Sequence, residues 1–308
     1  SLIMLSVKNI SFSYSKSQIL SGISLSVKRG EYLAIVGESG SGKSTLLKLI
    51  YGEYDLDEGK ILWNGSAVLG PKDKLVVGHG FMKYVAQEFD LMPFTTVSEN
   101  IGTHLSNFYP KEKEKRIKEL LKVVELEEFS STKVKLLSGG QKQRVALAKA
   151  IAKQPEVLLL DEPFSHIDNF KKQSLRKSLF QFLKTKQITC IVATHDKNDV
   201  LAFADHMAVL NNGKIILKGP PKKLYKDPQY DLVAAFFSDY CILNDVIYYA
   251  NQIEVSGQGS IKAHIKHNYF KGTHYMIEAE TEGQIIYFNH PFPLDINQSV
   301  LLTTKESL

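Results

Sequence analysis

The chain has 308 residues, of which 44% are hydrophobic and 23% are charged, and its formal net charge is +5. This size and composition predict a globular protein of about two domains, and since there is no run of about 18 apolar residues, no transmembrane helix is predicted. Two cysteines are too few for a disulfide framework, and the basic residues are interspersed with acidic ones, so we expect a cytoplasmic protein that does not bind nucleic acid.

A glycine-rich loop follows the first predicted strands. Apolar and polar residues alternate at positions 23–27, and the short apolar run Tyr32–Val36 leads directly into residues 37–45. Residues 45–51 have the pattern of a helix. Strand, loop and helix in this order are the context of a phosphate-binding loop, and residues 37–45 match its pattern G-x-x-x-x-G-K-S/T. The segment therefore predicts binding of a nucleoside triphosphate.

The residues of this loop have distinct predicted roles. Its glycines allow backbone N–H groups to surround phosphate oxygens, and the helix that follows points its positive end at them. The Lys43 ammonium is expected to reach the β- and γ-phosphates, and the Ser44 hydroxyl to bind Mg²⁺. The predicted nucleotide-binding residues of the loop are Gly37, Glu38, Ser39, Gly40, Ser41, Gly42, Lys43, Ser44 and Thr45.

Two buried strands and two helices are predicted downstream. Residues 111–126 and the stretch that begins at Gly139 carry apolar residues at helical spacing. Residues 157–160 and 188–193 are short apolar runs, typical of parallel strands that are covered on both faces. The alternation of strands and helices predicts an α/β fold, with an inserted helical subdomain at about residues 88–155.

Two acidic residues, Asp161 and Glu162, end the first of these strands. On their own they would be ordinary solvated loop acids, but the phosphate-binding loop upstream favours a catalytic interpretation. A carboxylate at the end of a buried strand can hold Mg²⁺ through its water shell, and we assign this role to Asp161. Glu162 is the candidate general base that polarises the attacking water.

Residues 137–144, with the sequence Leu-Ser-Gly-Gly-Gln-Lys-Gln-Arg, form a second motif upstream of these acids. The loop, this signature motif and the acidic pair, in this order, resemble the ATP-binding-cassette (ABC) ATPases over about residues 5–240. The resemblance implies a P-loop NTPase fold with a mixed sheet and a helical subdomain, and an enzyme that hydrolyses ATP with Mg²⁺. It also implies that residues 1–240 form the nucleotide-binding domain.

The resemblance gives functions to further residues. Tyr14 matches the aromatic residue that stacks on adenine, Gln87 the glutamine that senses the γ-phosphate side, and His195 the histidine that contacts the γ-phosphate. The catalytic residues that the resemblance implies are Lys43, Gln87, Glu162 and His195. The metal ligands that it implies are Ser44, Gln87 and Asp161.

The signature motif predicts a second contact with nucleotide. Ser138 and the N–H groups of Gly139 and Gly140 begin a helix and can bind an anion. In the ABC family this motif, with Gln141, closes on the ATP that the other subunit binds. The resemblance therefore implies a dimer of cassettes, most simply a homodimer, that encloses two ATP molecules.

A short loop after the acidic pair matches the dimer-contact loop of the family. Residues 165–168 read Ser-His-Ile-Asp. Asp168 is the residue that the family retains there, and the resemblance adds it to the nucleotide-binding set. The family usually has a small residue where this chain has His166, so this position departs from the pattern.

Residues 224–240 are predicted to form a helix. The C-terminal residues 241–308 that follow are predicted to form short alternating strands, separated by turns at Gly272, Gly283 and Pro293. Several short strands in such a segment predict a small all-β, OB-like barrel. The segment loosely resembles the TOBE domain that follows the cassette in many importer ATPases. That resemblance implies a dimer-contact or regulatory role.

These features together predict the ATP-hydrolysing subunit of an ABC transporter of the importer type. It would lie on the inner face of the cell membrane through separate permease subunits, with a solute-binding protein in the complete system. Two alternatives stay open: an exporter or lipoprotein-release ATPase, and a soluble ABC protein that acts in translation or DNA repair. The C-terminal segment argues against the first, and the single cassette without a long coiled-coil insertion argues against the second.

Overall fold

The computed structural model describes residues 4–306 and divides the chain into two compact units, Ser1–Pro221 and Lys222–Leu308. The first three and last two residues of the predicted domains lie outside the described part. Within residues 4–306, no helix is both long and apolar enough to cross a membrane.

The strands of the first unit form two sheets. In chain order they are β1 (Met4–Tyr14), β2 (Ser17–Lys28), β3 (Tyr32–Val36), β4 (Glu58–Trp63), β5 (Ser66–Ala67), β6 (Met82–Val85), β7 (Val157–Asp161), β8 (Thr189–Thr194), β9 (His206–Asn211) and β10 (Lys214–Gly219). The antiparallel sheet has the order β2-β1-β4-β5, and the other has the order β10-β9-β3-β8-β7-β6. In the latter, β10 runs antiparallel to β9 and the remaining pairs are parallel, so the predicted mixed sheet is confirmed.

Helices connect the strands of this unit. They are α1 (Lys43–Tyr51), α2 (Val97–Ile101), α3 (Pro110–Val123), α4 (Gly139–Ile151) and α5 (Asn169–Thr185). The α4 helix begins at the predicted residue. The α3 helix begins with Pro110, which is favoured in a first turn because its missing N–H would have no partner there. Helices α2, α3 and α4 pack against one another within residues 88–155, the segment predicted to be a helical subdomain.

The central strands of the six-stranded sheet are buried along their whole length. Every residue of β3, β7 and β8 is buried, and their largely aliphatic sequences fit a sheet that is covered on both faces. Leu46 and Ile50 of α1 are fully buried in the same core. Cys190 of β8 is a free thiol whose pKa burial raises. This packed core fixes the sheet edge at which the functional residues lie.

Several strands end together at one edge because they are parallel and in register. Val36 of β3 pairs with Thr194 of β8. Val85 of β6 pairs with Leu160 of β7. The segments that follow these strands, and so lie at this edge, are residues 37–42, Gln87, Glu162 and His195.

The second unit is mainly antiparallel sheet. In chain order its elements are α6 (Pro221–Lys226), α7 (Asp231–Phe237), β11 (Tyr240–Leu243), β12 (Val246–Tyr249), β13 (Ile253–Val255), β14 (Ile261–Phe270), β15 (Tyr275–Thr281), β16 (Gln284–His290) and β17 (Ser299–Thr304). Five strands form a sheet in the order β13-β17-β14-β15-β16, and β11 and β12 form a hairpin. Its own core includes Ile277, Phe288 and Leu302, together with the buried free thiol of Cys241. This architecture confirms the prediction of a small OB-like β domain.

The predicted helix over residues 224–240 is wrong, since two short helices occupy that segment. Pro228 lies between α6 and α7, where it has no N–H to continue a helix. The ring of Tyr225 stacks on that of Tyr249 at 4.6 Å, and the Tyr249 hydroxyl donates to the Tyr225 carbonyl at 2.8 Å. These contacts join α6 to the β-rich unit, and the predicted boundary between residues 240 and 241 consequently lies inside that unit.

Candidate active site

The phosphate-binding loop joins β3 to α1 in a conformation that needs glycine. Gly40 and Gly42 have φ values of 81° and 104°, in the left-handed region that side chains disfavour. At Gly37 a Cβ atom would lie 2.4 Å from the carbonyl oxygen of Leu210. The backbone can therefore form the close cradle that the sequence pattern predicts.

Lys43 opens α1 beneath this loop. Its Nζ donates to the carbonyl oxygens of Gly37 at 2.6 Å and Glu38 at 3.0 Å. Burial lowers the pKa of Lys43, and the carboxylates of Glu162 and Asp161 oppose this shift. The ammonium thus lies within electrostatic reach of both predicted acids, and its charge suits phosphate oxygens.

Asp161 ends β7 as a buried carboxylate. The Tyr84 hydroxyl donates to its Oδ2 at 3.3 Å, whereas Oδ1 is buried and has no hydrogen-bond partner in the described chain. Burial raises the pKa of Asp161, and the hydroxyls of Ser44 and Tyr84 and the ammonium of Lys43 oppose the rise. A buried oxygen without a partner, beside a serine hydroxyl and a lysine, fits the donor set of a Mg²⁺ site.

Glu162 follows Asp161 with an unusual backbone and a buried side chain. Its φ of 47° lies in the left-handed region, and its N–H donates to the Ala193 carbonyl at 2.9 Å. The Nδ1 atom of His195 lies 2.8 Å from its Oε1. Burial raises the pKa of Glu162, and the contact with His195 opposes the rise. The four residues that the structure brings together, called the catalytic cluster below, are Lys43, Asp161, Glu162 and His195.

The signature motif begins α4 with a reciprocal cap. The Ser138 Oγ accepts a hydrogen bond from the Gln141 N–H at 3.2 Å, and the Gln141 Oε1 accepts one from the Ser138 N–H at 2.9 Å. Ser138 and Gly139 are exposed, and a Cβ atom at Gly139 would meet no atom within 4 Å. The motif therefore offers a preformed and open helix start.

Three further predicted residues are surface groups of the same unit. Tyr14 ends β1 with 40% of its area exposed, and its ring meets that of Tyr54 edge to face, 5.5 Å between centroids. Gln87 is exposed two residues after β6, and Asp168 is exposed as the N-cap of α5. Like His195, and unlike the other three residues of the catalytic cluster, these residues are exposed, and the roles of all of them stay predictions.

Comparison with known proteins identifies the family. A family model described as "ABC transporter" matches residues 20–165. The "Fe(3+) ions import ATP-binding protein FbpC" of Yersinia pestis bv. Antiqua is 39% identical over 240 residues, which cover 78% of this chain and 68% of the relative. This chain belongs to the ABC transporter family.

Two further ABC proteins support this assignment. The "Spermidine/putrescine import ATP-binding protein PotA" of Thermotoga maritima is 34% identical over 286 residues, 90% of this chain and 76% of the relative. A solved dimeric structure of the ATP-binding cassette MJ0796, in a post-hydrolysis state with ADP and Pi, is 29% identical with a TM-score of 0.60, covering 70% of this chain and 98% of that one. The predictions of an ABC ATPase fold, ATP hydrolysis and an importer-type subunit are confirmed.

The loop that carries His195 is anchored by a buried network of ion pairs, which was not predicted from the sequence. The Arg176 guanidinium contacts Asp199 at 2.6 Å and Asp196 at 2.9 Å, and the Thr194 hydroxyl donates to Asp199 at 2.5 Å. Burial raises the pKa of Asp199, and Thr194 and Arg176 oppose the rise. These contacts hold the chain on both sides of His195.

Sequence reasoning also missed two polar residues behind the acids of this ABC cassette. Tyr84 lies three residues before Gln87 and bonds to Asp161, and Gln143 lies in the signature helix with 1% of its area exposed. A glutamine at a buried position of a helix was the available signal for Gln143, since a buried amide requires partners. The sequence alone did not show which partners these are.

Proposed function

We propose that this ABC cassette pairs with a second copy, and that the pair drives solute import through separate permease subunits on the inner face of the cell membrane. The observation that carries the proposal is the open start of α4. Ser138 and Gly139 present a capped helix start to the outside of the chain, although the cassette already has its own phosphate loop. A second anion site of this kind suits the ATP of a partner cassette.

Catalysis in this proposal depends on positioning and charge. The loop N–H groups and Lys43 bind the phosphates, and Tyr14 supports the adenine ring by stacking. Glu162, with its pKa raised by burial and its carboxylate beside His195, accepts the hydrogen bond of the attacking water. Closure of the partner's signature motif over the γ-phosphate excludes bulk water and completes the site.

Mg²⁺ is the metal that we propose for this site. Ser44, Asp161 and Gln87 would hold it, since Asp161 offers a buried oxygen that has no hydrogen-bond partner among residues 4–306, and Gln87 follows the neighbouring strand. When bound with ATP, the ion neutralises charge on the phosphate oxygens. Lys43 shares that task, since its ammonium also interacts electrostatically with the carboxylates of Glu162 and Asp161.

We propose that the permease binds the segment after β6. A cleft of about 290 Å³ lies there, between residues 83–90 and the helix α4. A few residues further along the chain, Phe94 is 71% exposed and Met92 is 37% exposed, and these apolar side chains could contribute to a contact with another protein. Because Gln87 belongs to the same segment, a permease bound here would be linked to the nucleotide site.

Import is favoured over export by the relatives, which are named for the import of Fe(3+) and of spermidine and putrescine. Because these solutes differ chemically, we assign the choice of solute to other subunits, namely the permeases and a solute-binding protein. The second unit, which fits a TOBE-like domain, is proposed to have a regulatory or dimer-contact role.

The dimer is tested with the Glu162→Gln variant, which should bind ATP but hydrolyse it at least about 100-fold more slowly. Gel filtration with Mg-ATP should show this variant as a dimer, because the closed pair cannot reopen by hydrolysis. Adding Ser138→Arg, which blocks the signature motif, should return it to a monomer. Glu112→Gln on the exposed face of α3 is the matched control. A Glu162→Gln variant that stays monomeric with Mg-ATP would contradict the proposal.

A further inference from the structure

Gln143 has a buried side-chain amide that contacts three residues of the segment 162–166. Its Nε2 donates to the Glu162 carbonyl at 3.0 Å and lies 3.4 Å from the Ser165 hydroxyl. Its Oε1 accepts a hydrogen bond from the His166 N–H at 2.9 Å. With 1% of its area exposed, the side chain has both amide groups engaged by the segment that carries the general base.

The backbone of Glu162 needs such support. A side-chain-bearing residue with φ near 47° is strained, and a residue that precedes proline, here Pro163, normally prefers an extended conformation. Three hydrogen bonds oppose relaxation: the Glu162 N–H donates to the Ala193 carbonyl, and the Glu162 carbonyl accepts from Gln143 Nε2 at 3.0 Å and from the Ser165 N–H at 3.3 Å. Without Gln143, the Glu162 carbonyl keeps only the longer of its two hydrogen bonds, which comes from its own turn, and loses its contact with the signature helix.

Gln143 also stands on the helix that begins with the signature motif. It lies five residues after Ser138, about 7.5 Å along the helix axis. Closer to the helix start, Gly140 packs so tightly on the His166 carbonyl that a Cβ atom there would lie 2.7 Å from the oxygen. A movement of α4 must therefore move the segment that carries Glu162.

We propose that Gln143 is a positioning residue for hydrolysis, which holds the Glu162 peptide in its strained conformation and couples it to the signature helix. The proposal rests on the proposed function, in which the signature motif contacts the partner's ATP. Contact at the start of α4 would then reach the general base of the same chain through one amide. Each ATP site of the pair would thereby sense the occupancy of the other.

Two substitutions separate the bonds of this amide. Gln143→Met keeps the length of the side chain and removes both polar groups, so neither bond can form. Gln143→Glu keeps an acceptor for the His166 N–H and, as a carboxylate, has no donor for the Glu162 carbonyl. We expect both to lower kcat by about 10- to 100-fold, because a small misplacement of a catalytic group is costly. The KM for ATP and the calorimetric Kd for ATP should stay within about two-fold of the original, since Lys43 and the loop are unchanged. Gln173→Leu on the exposed face of α5 is the control.

The outcome that overturns the proposal is a normal kcat in Gln143→Met, or a loss of kcat matched by an equal loss of ATP affinity, which would mark Gln143 as a packing residue. The Gln143→Met change is also made in the Glu162→Gln background, where Mg-ATP should still produce the dimer on gel filtration. Loss of that dimer would show that Gln143 acts on assembly rather than on the base. Failure of Glu162→Gln alone to dimerise rejects the proposed function, whereas a normal kcat in Gln143→Met rejects only the role of Gln143.

Discussion

The side chain of Glu162 is placed where its own charge is disfavoured. Burial raises its pKa, and the neighbouring Asp161 carboxylate adds to the rise, while His195 and Lys43 oppose it without cancelling it. A general base benefits from this arrangement, because a carboxylate with a raised pKa takes a proton more readily. Keeping Glu162 ionised therefore lowers the stability of the folded chain.

That loss should appear when Glu162 is replaced. Because the pKa of Glu162 is higher in the folded chain than in the unfolded chain, this loss of stability is absent at a pH below the unfolded-state pKa. It is complete at a pH above the folded-state pKa. Glu162→Gln removes the charge, so the Tm of this variant at pH 7 should exceed that of the unsubstituted protein. The expected difference is about 2–4 °C, which is the shift that about 1 kcal/mol of stability gives in a domain of this size. Differential scanning fluorimetry from pH 4 to 8 measures the difference.

The pH trend distinguishes this explanation from a general effect of the substitution. The gain in Tm should shrink as the pH falls towards 4, since both proteins then have a neutral side chain at this position. Glu112→Gln, on the exposed face of α3, should show no comparable gain. A gain for Glu162→Gln that grew towards acid pH would contradict the assigned direction of the pKa shift.

At the residue scale, the local motifs were predictable from the sequence, but the distant residues that hold them in position were not. The loop that contains Lys43 is one continuous segment, and its glycines have a physical reason that the sequence shows directly. In contrast, the contact of Gln143 with Glu162 joins segments 19 residues apart, and that of Arg176 with Asp199 joins segments 23 residues apart. Such partners follow from how helices pack on the sheet, which no spacing rule specifies.

The start of α4 shows how two adjacent glycines in one element can serve different purposes. At Gly139 a Cβ atom would lie in open space, whereas Gly140 lies against the His166 carbonyl. Since alanine favours a helix by up to about 1 kcal/mol over glycine, Gly139→Ala should leave Tm unchanged or slightly raised. Gly140→Ala should lower Tm by several degrees, because the backbone at His166 must shift. Thermal unfolding of the two variants, side by side, makes the comparison.

An equal Tm for the two alanine variants would show that the helix start moves freely away from the His166 loop. It would also weaken the coupling inferred for Gln143, which depends on the same close packing. His166 itself is accommodated because its ring turns to meet Phe89 edge to face at 5.9 Å. The side chain that departs from the family pattern thus packs on Phe89, whereas Gly140 lies against the backbone carbonyl of the same residue.

Elements with strong periodicity were predicted well, and short ones were not. The α4 helix and the strands β7 and β8 follow from clear apolar patterns. The hairpin of β11 and β12 was missed because each strand has four residues, too few for a reliable alternation. The single helix predicted over residues 224–240 is wrong because the apolar spacing continues across Pro228, which ends α6 through the missing N–H.

The two units of the whole molecule have separate cores, and this division should be visible in their thermal unfolding. Mg-ATP binds the unit with the phosphate loop and should stabilise it by about 2.7 kcal/mol at 100 times its Kd. Phe288→Ala empties a fully buried position of the second unit and should destabilise that unit by about 3–5 kcal/mol. Differential scanning calorimetry should show each treatment shifting its own transition. A single transition that both treatments move together would contradict the division.

The two cysteines make the protein unusually convenient to label. Cys190 and Cys241 are unpaired, lie in different units, and are both buried with a raised pKa, so reagents that need an accessible thiolate should react with them slowly. One cysteine introduced at an exposed position such as Gln173 could then carry a dye or spin label without removal of the native thiols. In a pair of cassettes the two labels would report the distance between subunits, and so the opening and closing of the dimer, through each cycle of ATP turnover.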